Sequence, residues 1–165
     1  MIYLAKKTKK MSQKEQKILN IGCGKRPIDG AVNHDRRKHA DHVDVAHDLN
    51  LLPWPWGDES FDLIAARAVL EHLQIDLIDS VNECWRILRH GGILVLKLPY
   101  WKHNNSYMDP THRWFCALET PTIFDPATEY GAKYDFYTPY KWKIIKGPRL
   151  NNARSSIHCT LEVRK

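Results

Sequence analysis

Short apolar segments separated by turns run through the chain as far as residue 98 and predict a series of parallel strands. The predicted strands are residues 18–21, 31–35, 43–46, 61–66 and 93–98. Residues 61–66 are almost continuously apolar, which is typical of a strand that is covered on both faces of a parallel sheet. Strands that alternate with helices or short crossovers predict an α/β fold whose ligands lie at the carboxyl ends of the strands.

One longer segment, residues 75–89, has a helical period instead. Its apolar positions, Ile75, Ile78, Val81, Trp85 and Leu88, fall on one face of a helix. The pair of glycines at residues 91–92 predicts where this helix ends, since glycine is the usual residue just beyond a helix.

The remainder of the chain has a different pattern. Residues 100–140 are rich in Pro, Tyr, Asp and Asn and have no sustained period, so we expect an irregular excursion with one short helix near residues 120–124. Loops of this length inside a compact domain are usually functional. Residues 140–146 and 157–163 then predict an antiparallel strand pair at the edge of the sheet, joined by residues 147–156.

Composition and charge restrict the class of protein. A chain of 165 residues fits one domain, and we expect a basic, flexible leader over residues 1–16 followed by a compact domain over residues 17–165. Residues 1–17 contain six lysines and one glutamate, so they carry +5 of the net +6. A basic segment of this kind can contact phosphates or an anionic membrane, but a solvated tail is the favoured interpretation.

The apolar runs and the cysteines indicate a cytoplasmic protein. The longest apolar runs, such as residues 93–96, are too short to span a bilayer, and no secretory signal pattern is visible. Cys23, Cys84, Cys116 and Cys159 have no paired spacing. This arrangement favours reduced thiols over a disulfide framework or a zinc site.

The segment Gly22-Cys23-Gly24 directly follows the first predicted strand and lets the backbone approach a ligand closely, since glycine has no side chain. A nicotinamide dinucleotide fits this segment poorly. Its fingerprint requires a third glycine where this chain has Pro27, and an acid about 20 residues after the first glycine. Asp35 comes after only 13 residues.

Two acids follow the second and third predicted strands. Asp35 is placed to accept hydrogen bonds from the hydroxyl groups of a ribose, because a carboxylate presents two acceptor oxygens. The alternative is a surface acid that pairs with Arg36 or Arg37. Asp48 is placed to accept from an adenine amine, with Leu49 packed on the base, and its alternative is a turn former.

An ordered set of motifs resembles the class I S-adenosylmethionine-dependent methyltransferases, and among them the broad group that includes the quinone-biosynthesis methyltransferases. The similarity runs from residue 17 to residue 99 and rests on residues 19–24, Asp35, residues 48–49, 52–53, 60–64 and 69–73, Glu83, and residues 85–88 and 91–92. The resemblance implies a Rossmann-like, mostly parallel sheet of six to seven strands with an antiparallel C-terminal strand. It also implies S-adenosyl-L-methionine as the cofactor.

Carried over by position, the resemblance divides the domain and assigns its cofactor residues. Residues 17–99 would be the cofactor half, residues 100–140 the substrate excursion, and residues 140–165 the C-terminal strand pair. The implied cofactor-binding residues are Asn20, Gly22, Cys23 and Gly24 at the methionine end, Asp35 at the ribose, Asp48 and Leu49 at the adenine, and Ala66 and Arg67 near the sulfonium.

The chain departs from the family pattern at two positions, and some of its other residues have more than one interpretation. Asn20 replaces the usual acid and Arg26 the third glycine, and the first helix is curtailed. Residues 54–56 (Trp-Pro-Trp) flank the adenine or pack on the core. Residues 71–72 (Glu-His) are interpreted as mainly structural.

The histidines raise the question of a metal site. One group is His34, His39, His42 and His47, and a second is His103, Asp109 and His112. Neither spacing matches a helix face or a known ligand loop, so we expect ordinary surface histidines and no metal.

The sequence restricts the chemical class of the methyl acceptor but does not identify the molecule. Base-modifying methyltransferases carry an Asp/Asn/Ser-Pro-Pro-aromatic segment or a Pro-Cys nucleophile after strand four, whereas this chain has residues 66–68 (Ala-Arg-Ala). We therefore expect a small-molecule or glycan acceptor rather than a nucleic acid. The alternative is a non-catalytic, methyltransferase-like subunit that binds the cofactor or a partner.

The candidate catalytic residues are His112, as a general base for the acceptor, and Asp109, which would orient its ring if this stretch makes one helical turn. Pro110 favours a loop instead, in which His112 only closes the loop on itself.

Overall fold

The structure, a computed structural model, describes residues 16–165. The basic leader predicted over residues 1–16 therefore lies, apart from its last residue, outside the described residues. No helix in the described part of the chain is long and apolar enough to cross a membrane.

Seven strands form one sheet in the order β3-β2-β1-β4-β5-β7-β6. Their bounds are β1 Ile18–Ile21, β2 Val32–Asp35, β3 Val45–Ala46, β4 Phe61–Arg67, β5 Leu88–Pro99, β6 Lys141–Leu150 and β7 Ser156–Arg164. Strands β1 to β5 pair in parallel, and β7 pairs antiparallel with both β5 and β6. The predicted fold, a mostly parallel Rossmann-like sheet with an antiparallel C-terminal strand, is confirmed.

The centre of the sheet is held by apolar side chains that line up across the strands. Leu19 pairs with Ile64, Ile64 with Leu94, and Leu94 with Leu161. All four are 0% exposed, so one continuous apolar row crosses β1, β4, β5 and β7. At about 1.5–3 kcal/mol for each fully buried aliphatic side chain, this row stabilises the central strands strongly.

The predicted helix forms, but it is shorter than its pattern suggested. Helix α1 spans Leu77–Ile87 and buries Ser80, Val81, Cys84 and Ile87. The glycines do not end it, because β5 begins directly at Leu88. Gly91, with a φ of +72°, instead lies within β5 at an irregularity of its pairing with β4, between the pairs Phe61–Leu88 and Leu63–Ile93.

The excursion contains more local structure than the single helix predicted. The predicted helix is the 3₁₀ turn Thr120–Phe124, and it is joined by α2 Asn105–Met108, α3 Glu129–Lys133 and a second 3₁₀ turn, Asp135–Tyr137. The final strands form as predicted, at the edge of the sheet, but they are longer, so only residues 151–155 connect them.

The described connections between β1 and β4 contain no helix. This confirms the predicted loss of the first helix. The carboxyl ends of β1 and β2 consequently carry loops, and these loops form part of the walls of the cavities described next.

Candidate functional site

The carboxyl ends of β1 and β4 open into a first cavity of about 300 Å³. Its walls are Asn20, Gly22, Cys23, Gly24, Lys25, Arg26, Arg67 and Ala68. Five of the nine predicted cofactor residues thus lie around one space, although they come from two strands.

A second cavity of about 150 Å³ adjoins the first and shares Gly22 with it. Its walls are Gly22, His34, Asp35, Arg36, His47, Asp48, Leu49, Asn50, Val69, His72 and Leu73. The three predicted residues Asp35, Asp48 and Leu49 therefore lie here. Ala66 is the exception among the predicted cofactor residues, because it is 0% exposed inside the sheet and Ala68 forms the wall instead.

Gly22 separates the two cavities and must be glycine for two reasons. Its φ is +61°, in the left-handed region that L side chains rarely adopt. A Cβ on Gly22 would also lie 2.4 Å from Cγ2 of Val69. The backbone of this turn can therefore reach the cavity only without a side chain.

Asp35 stabilises this glycine turn from the neighbouring strand. Its Oδ2 accepts a hydrogen bond from the Gly24 amide at 2.8 Å, and its Oδ1 accepts one from the Arg36 amide at 2.7 Å. The Arg36 guanidinium pairs with Asp48, at 3.0 Å, rather than with Asp35. Each Asp35 oxygen therefore retains a lone pair that can face a ligand.

Asp48 forms the turn after β3 as well as lining the second cavity. Its Oδ1 accepts from the Asn50 amide at 3.1 Å and from Asn50 Nδ2 at 2.8 Å. These bonds, led by the Asn50 backbone amide, and the nearby Arg36 lower the pKa of Asp48. The turn-forming interpretation of Asp48 is thus present in the structure, and contact with an adenine stays a prediction.

A third cavity of about 260 Å³ joins the other two, sharing Ala68 with the first and His72 with the second. Its walls are Ala68, Glu71, His72, Lys97, Leu98, Pro99, Asn105, Asp109, His112, Ser155 and Ser156. The predicted excursion therefore meets the sheet where we expected a substrate. Ala68 has a φ of +57°, a strained conformation of the kind that recurs at functional sites.

The two candidate catalytic residues lie in this third cavity but do not contact each other as predicted. The His112 ring places Nδ1 3.0 Å from the carbonyl oxygen of Ser106. The Asp109 carboxylate accepts from the backbone amide and the hydroxyl of Thr111, at 2.9 and 2.6 Å. The prediction that Asp109 orients His112 is wrong, because Ser106 holds the ring and Asp109 is engaged by Thr111.

Comparison with known proteins finds similarity to methyltransferases. Residues 27–96 match the family described as "Methyltransferase domain". Over 71 residues the chain is 37% identical to a probable S-adenosylmethionine-dependent methyltransferase of Mycolicibacterium smegmatis, a match that covers 43% of this chain and 26% of that protein.

Solved structures extend the similarity over nearly the whole chain. The YcgJ protein of Bacillus subtilis has a TM-score of 0.61 at 16% identity, with 92% of this chain and 93% of that one covered. A SAM-dependent methyltransferase of Archaeoglobus fulgidus also scores 0.61, at 15% identity, with 89% and 86% covered. At these identities the structures support the fold, and the sequence matches support the family.

The family match over residues 27–96, the relative and the shared fold together support a class I S-adenosylmethionine-dependent methyltransferase. The resemblance inferred from its motifs is confirmed. The matched segment spans about a quarter of the M. smegmatis protein, so the similarity concerns the methyltransferase domain.

The unusual Asn20 of this methyltransferase domain has a structural explanation. Asn20 is 1% exposed, and its Nδ2 donates to the Arg26 carbonyl at 3.1 Å and to Asn33 Oδ1 at 2.9 Å. Asn33 in turn accepts from the Ile28 amide at 2.8 Å. An acid at position 20 could not donate these bonds, so Asn20 stabilises the loop that replaces the first helix.

The first predicted histidine group also stabilises this loop. His34 is 1% exposed rather than at the surface, and its Nε2 contacts the His47 carbonyl at 3.0 Å. His39 and His42 both contact the Gly24 carbonyl, at 3.1 and 2.8 Å. The expectation of surface histidines is therefore wrong for His34.

The tryptophans at residues 54 and 56 pack on the core and are not among the walls of the second cavity. Trp54 is 2% exposed, and its Nε1 donates to the Leu49 carbonyl at 2.9 Å. Trp56 meets Phe61 edge to face at 6.3 Å. Of the two interpretations of this segment, packing on the core is the one the structure shows.

Two further residues of the third cavity, Glu71 and His72, were interpreted from the sequence as structural. They lie in the 3₁₀ turn Leu70–His72 directly after β4. Glu71 is 1% exposed, and its Oε2 has no hydrogen-bond partner within the described residues. Burial raises the pKa of Glu71 to about 7, and burial followed by the neighbouring His112 lowers the pKa of His72.

The raised pKa of Glu71 predicts how stability depends on pH. The folded protein holds this proton more tightly than the unfolded chain, so stability falls as pH rises from about 4.5 to about 7 and stays lower above that range. This shift in the pKa of Glu71 corresponds to about 3 kcal/mol in the free energy of unfolding. We expect Glu71→Gln to gain about that much stability, relative to the wild type, between about pH 5 and about pH 8.

Urea denaturation at the two pH values, in buffer with EDTA, measures this difference. Glu119→Gln is the matched control, because Glu119 is exposed and its substitution should leave the pH dependence unchanged. If the free energy of unfolding changed equally between the two pH values in the wild type and in Glu71→Gln, Glu71 would not titrate in this range.

Proposed function

We propose that this protein is a methyltransferase that transfers a methyl group directly from S-adenosyl-L-methionine to an oxygen, nitrogen or carbon nucleophile of a small-molecule or glycan acceptor. The observation that carries the proposal is the meeting of three cavities at the carboxyl edge of the sheet, with Gly22 and Ala68 as shared walls. Ligands of open α/β sheets bind at this edge.

The residues present fit the cofactor. In this proposal the methionine part occupies the first cavity, where the glycine turn leaves open space and Arg67 provides a cation for the carboxylate. Asp35 holds the ribose hydroxyls with its remaining lone pairs, and Leu49, which is 3% exposed, packs against the adenine. When bound, S-adenosyl-L-methionine supplies an electrophilic methyl group on its sulfonium.

The acceptor side of the proposal rests on the third cavity. Ala68 lies in the walls of both the first and the third cavity, so an acceptor there approaches the methyl group from the side opposite the cofactor. The protein's main contribution is to hold the nucleophile in line. Nε2 of His112 takes up the proton when the nucleophile is a hydroxyl or an amine.

The cysteines and the size of the third cavity support the proposed compartment and the proposed class of acceptor. The four cysteines are free and buried, which supports a location in the reducing cytoplasm. The acceptor cavity is lined in part by the excursion, and its volume of about 260 Å³ suits a small molecule or a single sugar unit better than a stacked nucleic acid base with its flanking strand.

Calorimetric titration with S-adenosyl-L-methionine tests the proposal. We expect binding to the wild type and affinity for Asp35→Ala weaker by about 1–3 kcal/mol, because charge-assisted hydrogen bonds to the ribose are lost. Asp41→Ala is the control, since Asp41 is exposed. NAD should not bind to any of the three proteins.

Three outcomes would contradict parts of this proposal. Absence of heat with the wild type at about millimolar cofactor would reject cofactor binding. Equal affinities of Asp35→Ala and the wild type for S-adenosyl-L-methionine would show that Asp35 does not bind the ribose. Its role would then be to stabilise the glycine turn. Cofactor binding without turnover across a set of acceptors would favour the alternative of a non-catalytic subunit, which the replacement of the family acid by Asn20 supports.

A further inference from the structure

Three potential metal ligands meet in the wall of the third cavity. A carboxylate oxygen of Glu71 and one ring nitrogen each of His72 and His112 all lie within 4.8 Å of one another. Glu71 and His72 come from the turn after β4, and His112 comes from the excursion. The turn and the excursion are tied together by the Arg113 amide, which donates to the Glu71 carbonyl at 2.7 Å.

The hydrogen bond of His112 determines which ring nitrogen is free. Nδ1 of His112 lies 3.0 Å from the carbonyl oxygen of Ser106. A carbonyl oxygen can only accept, so Nδ1 carries the hydrogen of the neutral ring. Nε2 of His112 therefore presents a lone pair, and it has no hydrogen-bond partner in the described part of the chain.

Nε2 of His72 also presents a lone pair, which follows from two successive hydrogen bonds. The Thr111 hydroxyl lies 2.6 Å from Oδ1 of Asp109, to which it donates its only hydrogen. It must then accept from Nδ1 of His72, at 2.8 Å. Nε2 of His72 is thereby left unprotonated, so a carboxylate acting through a threonine determines the tautomer of this histidine.

This arrangement is typical of histidines that bind metals. Such residues usually donate the other ring N–H to a carbonyl, a carboxylate or a water, which fixes both the tautomer and the orientation of the ring. His112 has such a partner in the Ser106 carbonyl, and the Thr111 hydroxyl fixes the tautomer of His72 in the same way.

Glu71 provides an independent observation. Its side chain is 1% exposed, and Oε2 has no partner within residues 16–165. A buried polar atom without a hydrogen bond is costly, and it is rare unless a ligand, an ion or a functional role satisfies it. A cation between Glu71 and the two imidazoles would satisfy this oxygen.

We propose that Glu71, His72 and His112 bind a divalent first-row transition-metal ion, such as zinc, that holds an oxygen atom of the methyl acceptor. This inference rests on the proposed methyltransferase function, and it favours an oxygen nucleophile. Imidazole ligands suit zinc, iron and related ions, whereas magnesium and calcium favour all-oxygen sites. Three protein ligands leave an open coordination position, as in catalytic zinc sites.

The geometry requires only small movements of the side chains. Bonds of about 2.0–2.1 Å in tetrahedral geometry place ligand atoms about 3.3 Å apart. The three ligand atoms, which lie within 4.8 Å of one another, therefore move closer by rotation of their side chains when the ion binds.

The ion would replace His112 as the group that activates the acceptor. The lone pair on Nε2 cannot both bind a cation and accept a proton, so the two roles exclude each other. Held by Glu71, His72 and His112, the ion would act as a Lewis acid on the acceptor hydroxyl, which would then release its proton to solvent more readily, as zinc-bound water does.

Calorimetric titration of the EDTA-treated and desalted full-length protein with zinc chloride tests the site without any cofactor. We expect one ion per chain, and affinity weaker by about 100-fold or more in Glu71→Gln and in His112→Gln. Magnesium at about millimolar concentration should not compete. Cobalt in place of zinc should give a visible absorption band that both substitutions abolish.

His90→Ala is the control for binding by a surface histidine, because His90 is exposed and lies at the amino end of β5, opposite to the cluster. It should bind zinc like the wild type. Absence of zinc binding, or equal binding in Glu71→Gln and His112→Gln, would overturn the proposal. The titration with S-adenosyl-L-methionine uses the same ion-free protein, so failure of the metal site and failure of the cofactor site give separate results.

Discussion

Replacing Gly22 by alanine is expected to lower the free energy of unfolding by about 2–5 kcal/mol. The left-handed φ of Gly22 costs an alanine about 1–2 kcal/mol. The new Cβ would also lie 2.4 Å from Cγ2 and 2.7 Å from Cβ of Val69, and overpacking of this kind typically costs about 1–3 kcal/mol more. Urea denaturation followed by circular dichroism measures the sum.

Gly24 provides a matched control two residues further along the same turn. Its φ is +53°, but a Cβ there would meet no atom within 4 Å. Gly24→Ala should therefore show only the conformational cost of about 1–2 kcal/mol. Adding Val69→Ala to Gly22→Ala should recover part of the loss, because it removes the closest contact. Equal losses in the two glycine variants, or strict additivity with Val69→Ala, would contradict the proposed clash.

The central sheet was predictable because its strands have a simple signal. Residues 61–66 form a continuous apolar run, and a strand that is buried on both faces needs one. The end of α1 was not predictable in the same way. Leu88 fits the apolar face of the helix and also the first buried position of β5, and the glycines that follow lie at an irregularity in the pairing of that strand. Periodicity alone does not distinguish these two uses of one leucine.

The excursion was less predictable because its elements are short. Helices such as Asn105–Met108 and Glu129–Lys133 span four or five residues, which is little more than one helical turn. An apolar stripe needs at least two turns to be visible in a sequence. Their positions are set by contacts with the rest of the fold, such as the hydroxyl of Ser106, which donates to the Tyr100 carbonyl at 2.7 Å.

The grouping of residues around the first and second cavities was largely predictable, and the grouping around the third cavity was not. The carboxyl ends of parallel strands meet at one edge, so Gly22 and Asp35 were expected to lie close together from their places on successive strands. Glu71 and His112 are 41 residues apart, and no local pattern connects them. The nearest signal was the Glu-His pair itself, directly after the carboxyl end of β4, where ligand-binding residues of such folds lie.

The hydrogen-bond donors of Asn20 illustrate a second limit. In the sequence Asn20 is only a departure from the family acid. In the structure it donates to Arg26 and Asn33 and thereby replaces bonds that a helix would provide. The departure and the missing helix are therefore one structural change, which only the long-range contacts reveal.

Substitution of His112 is expected to have the largest effect on turnover. Whether Nε2 accepts the proton of the acceptor or binds an ion that activates it, His112→Ala and His112→Gln remove the activating group. General-base catalysis is typically worth 10²–10⁴-fold, so we expect a loss of about that size once an acceptor is known. Affinity for S-adenosyl-L-methionine should not change, because His112 lies in the third cavity and not in the first or second.

Turnover with and without a chelator separates the two roles of His112. If His112 is the base, the wild type keeps its activity in EDTA, because no ion takes part. If the ion activates the acceptor, EDTA abolishes turnover and zinc restores it in the wild type but not in His112→Gln. Activity of both His112 variants within about threefold of the wild type would exclude both roles. His112 would then only hold the excursion in place through its bond to Ser106.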